Sequence, residues 1–181
     1  EAAAPAEPQK PEQAVDAQAL RGDWQALRDT HDFFPMLLAH KATRRQAFQL
    51  AGDDLARRLS PSAGSTALRM AAAGGVPVMV FVGNRGIVQI HSGPVRKLVD
   101  LHGWFNVMDP EFNLHLDERQ VAEAFRVRKP TDDGVVTSVE LLDAAGEVIA
   151  QVFGVRKPGT PEDPAWRDIT EALPAQQQAA A

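Results

Sequence analysis

The sequence predicts an α+β fold in which N-terminal helices pack on a large antiparallel β-sheet. Two observations carry this. Apolar residues recur at helical spacing through the first half of the chain and at strand spacing from Val76 onward. The strand segments are joined by short, turn-rich connections, which suit antiparallel neighbours. Helices followed by a strand meander make the class α+β.

In chain order, Leu20, Trp24 and Leu27 fall at i, i+4 and i+7 and mark a first helix. Phe33, Phe34, Met36, Leu37 and Leu38 supply a second apolar stretch. Pro35 is tolerated only in a first turn, so a fresh helix starts near Asp32 as N-cap and leaves His31 at its entry; the other reading is a kink. Thr43-Arg44-Arg45-Gln46 matches a capping box and opens a helix through Phe48 and Leu50 that stops at Gly52. Asp53–Leu59 reads as another short helix ended before Pro61, and Thr66–Ala73 as one more before Gly74-Gly75. Pro77–Val82 and Ile87–His91 flank Gly83-Asn84-Arg85-Gly86, a hairpin signal. Trp104–Met108 and Phe112–Leu116 flank the turn Asp109-Pro110-Glu111. Ala122–Arg128, Val135–Leu142 and Glu147–Arg156 complete the strands, and a short helix is expected around Trp166–Leu173. Residues 1–14, rich in Ala, Pro, Glu and Gln, are expected to form a disordered tail or linker. One domain spans 15–173, and residues 174–181 form a second disordered tail.

At 181 residues the chain can bury a sizeable core, and 44% hydrophobic with 24% charged residues is ordinary for a globular domain. No run reaches the roughly 18–20 apolar residues of a membrane span. No basic segment followed by an apolar stretch opens the chain, and the initial Glu suggests a processed or excised piece. The absence of cysteine removes disulfides, thiolate metal sites and thiol catalysis, which is compatible with a reducing cytosol. A net charge of −5, with no recognition helix or basic stripe, argues against nucleic acid as a partner. Arg and Lys recur in pairs, including Arg44-Arg45, Arg128-Lys129 and Arg156-Lys157; most such pairs are solvated surface.

Familiar nucleotide and hydrolase motifs are missing, and the five histidines have no close metal-ligand spacing. Alone, His31 is an ordinary helix-entry histidine. Its setting among Phe33, Phe34, Met36 and Leu37 is compatible with an iron macrocycle without selecting one. With Cys and Tyr absent, His and Met are the remaining axial ligand types. The carboxylates of such a macrocycle call for Arg or Lys. Arg44 lies about 20 Å from His31 along an unbroken helix, so it serves the same ligand only if the chain turns at Lys41-Ala42-Thr43.

The strand half carries a resemblance. Phe81-Val82-Gly83-Asn84-Arg85-Gly86, Gln89-Ile90-His91-Ser92-Gly93-Pro94-Val95 and Trp104-Phe105-Asn106-Val107-Met108-Asp109-Pro110 closely resemble the HemS/ChuS/HmuS haemin-degrading family. So do Phe112-Asn113-Leu114-His115-Leu116, Arg128-Lys129-Pro130-Thr131-Asp132-Asp133-Gly134 and Phe153-Gly154-Val155-Arg156-Lys157-Pro158-Gly159. The resemblance runs in register from about Trp24 to Trp166 and covers the second half of a two-repeat fold. Members are bacterial cytoplasmic proteins of haem utilisation that receive imported haem; some cleave it with an external electron donor.

The resemblance implies haem as ligand or substrate and His31 as proximal ligand to its iron. Arg44, Lys129 and Arg156 match cations that pair with the propionates, Phe81 an apolar wall and Gln151 a polar pocket residue. Phe153 stands where the family often has Tyr. Gln151 and Phe153 are two apart and share a strand face. The family's distal Arg and accompanying Phe come from the first half, for which Arg85 and His91 are not obvious substitutes. The implied partners are therefore a missing first half or a homodimer mate, with a haem importer or a haem oxygenase upstream and downstream. The implied activity is haem degradation by the completed protein, or haem carriage and storage by a lone half.

Overall fold

The computed structural model describes residues 13–176 except Arg85 and Pro158. Of the expected disordered tails, residues 1–12 and 177–181 lie outside the described residues, whereas the start of the second tail is ordered: the Pro174 carbonyl accepts from the Ser60 N–H at 3.0 Å and Ala175 forms an antiparallel bridge with Leu59. Asp16 caps α1 (Ala17–Gln25) by accepting from the backbone N–H groups of Gln18 and Ala19, each at 3.0 Å. The apolar stripe seats Leu20 and Trp24 in the interior, with Leu27 buried just past the helix end. The Trp24 indole N–H donates to the Arg128 carbonyl at 2.8 Å, which satisfies the buried donor and ties the helix to the sheet.

A 3-10 turn over Thr30–Asp32 precedes α2 (Phe33–Ala39), so the fresh start expected near Asp32 occurs. Pro35 is the third residue of α2, in the turn whose N–H groups have no helical partner. Asp32 occupies the N-cap position without a side-chain cap bond. The capping carboxylate is Asp29, which accepts from the His31 backbone N–H at 2.7 Å. α3 (Arg44–Leu50) opens on the predicted capping box: Thr43 accepts from Gln46 N–H at 3.1 Å, and the Gln46 side chain accepts from Thr43 N–H at 3.0 Å.

Further elements are β1 (Ala56–Leu59), α4 (Ala63–Gly74), β2 (Val78–Gly83), β3 (Val88–Gly93), β4 (Leu98–Leu101), β5 (Trp104–Asp109) and β6 (Phe112–Asp117). β7 (Glu123–Thr131), β8 (Gly134–Leu142), β9 (Val148–Gly154) and α5 (Pro164–Ala172) complete the domain. The expected helix over 53–59 is instead a turn leading into β1. A short segment gains little from helical propensity alone, and pairing Ala56 with Val127 and Leu59 with Ala124 gives the backbone ready partners on β7. α4 ends on Gly75, whose φ of 65° makes the left-handed cap for which Gly is suited.

Every strand pairing is antiparallel. The strands divide into a six-stranded sheet of order β1-β7-β8-β9-β2-β3 and a three-stranded sheet, β4-β5-β6. One face of the larger sheet is covered at its β1-β7-β8 end by α1 to α3, through Trp24, Phe33 and Phe48 against Phe125, Val127 and Leu142. The opposite face packs on α4, α5 and the inner side of the small sheet, with Phe105, Val107 and Trp166 in that core. No helix among the described residues is long and apolar enough to cross a membrane.

Gly154 closes β9 against α5, and a Cβ there would lie 2.7–2.8 Å from atoms of Trp166. Trp166 cannot easily retreat, because its indole N–H donates to the Thr137 carbonyl at 3.0 Å. Gly154→Ala is therefore expected to cost about 1–3 kcal/mol by overpacking. The denaturant midpoint checks this; a midpoint equal to wild type would mean that α5 can shift.

Candidate functional site

Side-chain alternation places Met79 and Phe81 of β2, Gln151 and Phe153 of β9, Ser138 and Glu140 of β8, and Lys129 of β7 on one face of the large sheet. The register aligns them in rows: Glu140 opposite Gln151 and Gln151 opposite Phe81, then Ser138 opposite Phe153 and Phe153 opposite Met79. Beyond the reach of the helical core, this face is the floor of a cleft of about 450 Å³, a usual size for a small-molecule site. The opposite wall is the 3-10 turn with the start of α2. All seven residues singled out from the sequence, His31, Arg44, Phe81, Lys129, Gln151, Phe153 and Arg156, line this cleft. Phe81 and Phe153 meet edge to face, with ring centroids 5.3 Å apart. The chain does turn between His31 and Arg44, at Lys41, whose φ is 52°.

His31 projects from the wall with its side chain 93% exposed. Asp29 accepts from both its backbone N–H at 2.7 Å and its ring Nδ1 at 2.6 Å. An ionised carboxylate can only accept, so Nδ1 is the donor, and in the neutral ring the lone pair is on Nε2, the nitrogen left free for a ligand. Those two hydrogen bonds, helped by the charge of Arg156, hold the Asp29 carboxyl below the usual carboxylate range. A carboxylate on one imidazole nitrogen and an open lone pair on the other is the arrangement that orients a histidine for metal ligation. Among the described residues there is no cluster of three His, Cys, Asp or Glu able to hold a bare metal ion.

The inner end of the cleft is cationic but not free. Glu140 is 0% exposed and accepts from Lys129 Nζ at 2.7 Å, Ser138 Oγ at 2.9 Å and Arg44 Nη1 at 2.7 Å. Burial would raise its carboxyl, but Lys129 and Arg44 outweigh that and, with a hydrogen bond from Gln151, hold it down to about 2. Lys129 and Arg44 both lie over the Phe33 ring, at 4.6 and 5.3 Å from its centroid. Arg156 is the least encumbered of the three cations, with Asp133 at 3.8 Å.

The sequence places Phe33 and Phe34 beside His31, and both line the cleft, but it did not single out Asp29 or Glu140 as site residues. An Asp two positions before a His at a helix entry was a readable signal for the first. A lone acid on an inward strand position beside Leu142 was one for Glu140, since a buried charge requires partners. His91 pairs with Val80, on the opposite face from Phe81, and stacks on Phe112 at 3.8 Å, away from the cleft. Arg85 lies outside the described residues.

Residues 41–173 match the family model described as the haemin-degrading HemS.ChuX domain. The chain belongs to this family. It is 44% identical over 162 residues to the hemin transport protein HemS of Yersinia enterocolitica, covering 90% of this chain and 46% of that protein. Among solved structures, holo-PhuS, a heme-binding protein from Pseudomonas aeruginosa, superposes with a TM-score of 0.89 at 50% identity, covering 94% of this chain and 51% of that one. ChuS, an E. coli heme oxygenase, superposes with a TM-score of 0.85 at 45% identity, covering 94% and 52%. This HemS/ChuX-type domain therefore spans about half the length of the relatives it matches.

Proposed function

We propose that the domain binds haem in the cleft, with His31 Nε2 on the iron, in a bacterial haem-uptake and iron-acquisition system of the cytoplasm. The observation that carries this reading is the convergence of the seven residues on one cleft, with a histidine whose Nε2 is presented by an Asp29 hydrogen bond. Haem is the cargo or substrate. Its ring fits against Phe81 and Phe153, its propionates face Arg156 and Arg44 with Lys129 behind them, and Gln151 supplies a polar contact. The wall opposite Nε2 is not built by the described residues, as the exposure of His31 indicates. That open side favours a second element: the other half of a two-half protein, or a mate in a homodimer. A haem importer as donor and a haem oxygenase as acceptor are the corresponding partners. Degradation of haem is assigned to the completed protein with its distal Arg, and carriage or storage to the domain acting alone as a homodimer.

Haemin titration followed in the Soret region tests the ligand. His31→Ala is expected to lose the histidine-ligated band, with affinity falling by more than the roughly 10–100-fold typical of an outer-sphere partner. Asp29→Ala is expected to keep the band and lose about 10–100-fold. An unchanged band and affinity in His31→Ala would overturn the assignment. Consumption of bound haem on adding ascorbate, with a verdohaem or biliverdin-type product, would favour turnover by this domain. Light scattering with and without haemin reads the homodimer.

A further inference from the structure

We infer that Glu140 is a specificity and release residue: a carboxylate resident in the cleft floor that competes with the carboxylates of a bound dicarboxylate tetrapyrrole for Arg44. The inference deepens the haem-binding reading and rests on it. Arg44 makes with Glu140 the kind of charge-assisted contact, at 2.7 Å, that a ligand carboxylate would offer it. Its side chain remains 22% exposed while Glu140 is fully buried, so Arg44 stands between a carboxylate beneath and the open cleft. Lys129, 5% exposed, is bonded to the same carboxylate and fixes it from behind, as Ser138 does. A ligand carboxylate reaching Arg44 must share the guanidinium with Glu140, so each gains less than it would alone. Among the described residues Arg156 has no such resident competitor at hydrogen-bond distance, Asp133 lying 3.8 Å away. The cleft thus holds one ligand carboxylate firmly and the other weakly, which keeps the ligand exchangeable. A buried ion pair gives a core little that packed apolar side chains would not, so packing alone does not account for this triad.

The test uses metal-free mesoporphyrin and its dimethyl ester, with binding read by tryptophan fluorescence quenching. Without iron, His31 ligation plays no part, so failure of this inference and failure of the iron-ligand assignment are separately visible. The quantity read is the affinity ratio of acid to ester. Glu140→Gln keeps the shape of the side chain and removes the competing charge; the ratio is expected to rise about tenfold or more, the scale of one charge-assisted hydrogen bond. The double variant Lys129→Met with Glu140→Gln leaves no unpaired buried ammonium, and the same rise is expected there should the single variant fail to fold. Transfer of mesoporphyrin to a haem-scavenging apoglobin is expected to slow by a similar factor. In an Arg44→Gln background, adding Glu140→Gln is expected to leave the ratio unchanged. A ratio at or below the wild-type value in a folded Glu140→Gln or double variant overturns the inference.

Discussion

Glu140→Ala is expected to destabilise the domain by about 3–5 kcal/mol, the scale seen when one partner of a buried pair is removed and the other stays charged. Lys129 would then be left in the floor between Phe33 and Phe153 with no counter-charge, and Arg44 would lose its inner partner. Urea unfolding at neutral pH reads the loss as a lower midpoint. The pH dependence has a definite sign. The folded-state carboxyl titrates at about 2, below its ordinary value of 4.5, so its contribution is complete above pH 4.5 and is lost as pH falls toward 2. The difference between wild type and Glu140→Ala is therefore expected to narrow over that window. Glu162 weighs in the opposite direction, because burial raises its carboxyl, so the difference between variants and not the absolute curve isolates Glu140. A gap that stays constant down to pH 3 would show that Glu140 carries no net charge coupling.

Trp24→Ala is the second large effect, at about 3–5 kcal/mol. Its ring is fully buried, meets Phe33 edge to face at 4.7 Å and lies 6.0 Å from Phe48. Its indole N–H also satisfies the Arg128 carbonyl on the strand that carries Lys129. Removing the ring opens a cavity under Phe33, the residue that follows the His31 turn and supports two cleft cations. Haemin affinity is therefore expected to fall even under conditions where the variant is fully folded. Trp24→Phe, which keeps most of the packing and loses the N–H donor, is expected to cost less in stability. Equal destabilisation by Ala and Phe would mean that the hydrogen bond, not the ring, dominates.

Much of the fold was legible locally. The period change near Val76, the capping box at Thr43, the hairpin around Gly83–Gly86 and the restart of the helix before Pro35 all depend on residues within a few positions of one another. The segment 53–59 was misread because its partner, β7, lies some seventy residues away along the chain, and helical propensity gives no information about it. β4 escaped notice for the same reason: Leu98–Leu101 is too short to declare itself and becomes a strand only by pairing with β5. The division of the meander into two sheets likewise follows from how both pack across α4 and α5.

For the site, the motifs of the strand half identified the family, and the resemblance supplied His31, Arg44, Phe81, Lys129, Gln151, Phe153 and Arg156 as separate positions. Strand alternation alone already put Gln151 and Phe153 on one face. What the sequence by itself determined was the class of the domain and the chemistry available to it: an imidazole, aromatic walls and cations, with no thiol or phenol. The tertiary structure decided how that chemistry is arranged. It brought the His31 turn over the β9–β2 face, bonded Asp29 to Nδ1, and set Glu140 between Lys129 and Arg44. Those contacts join residues up to 96 positions apart. Their strength comes from burial and register, which are properties of the packed sheet and not of any local segment.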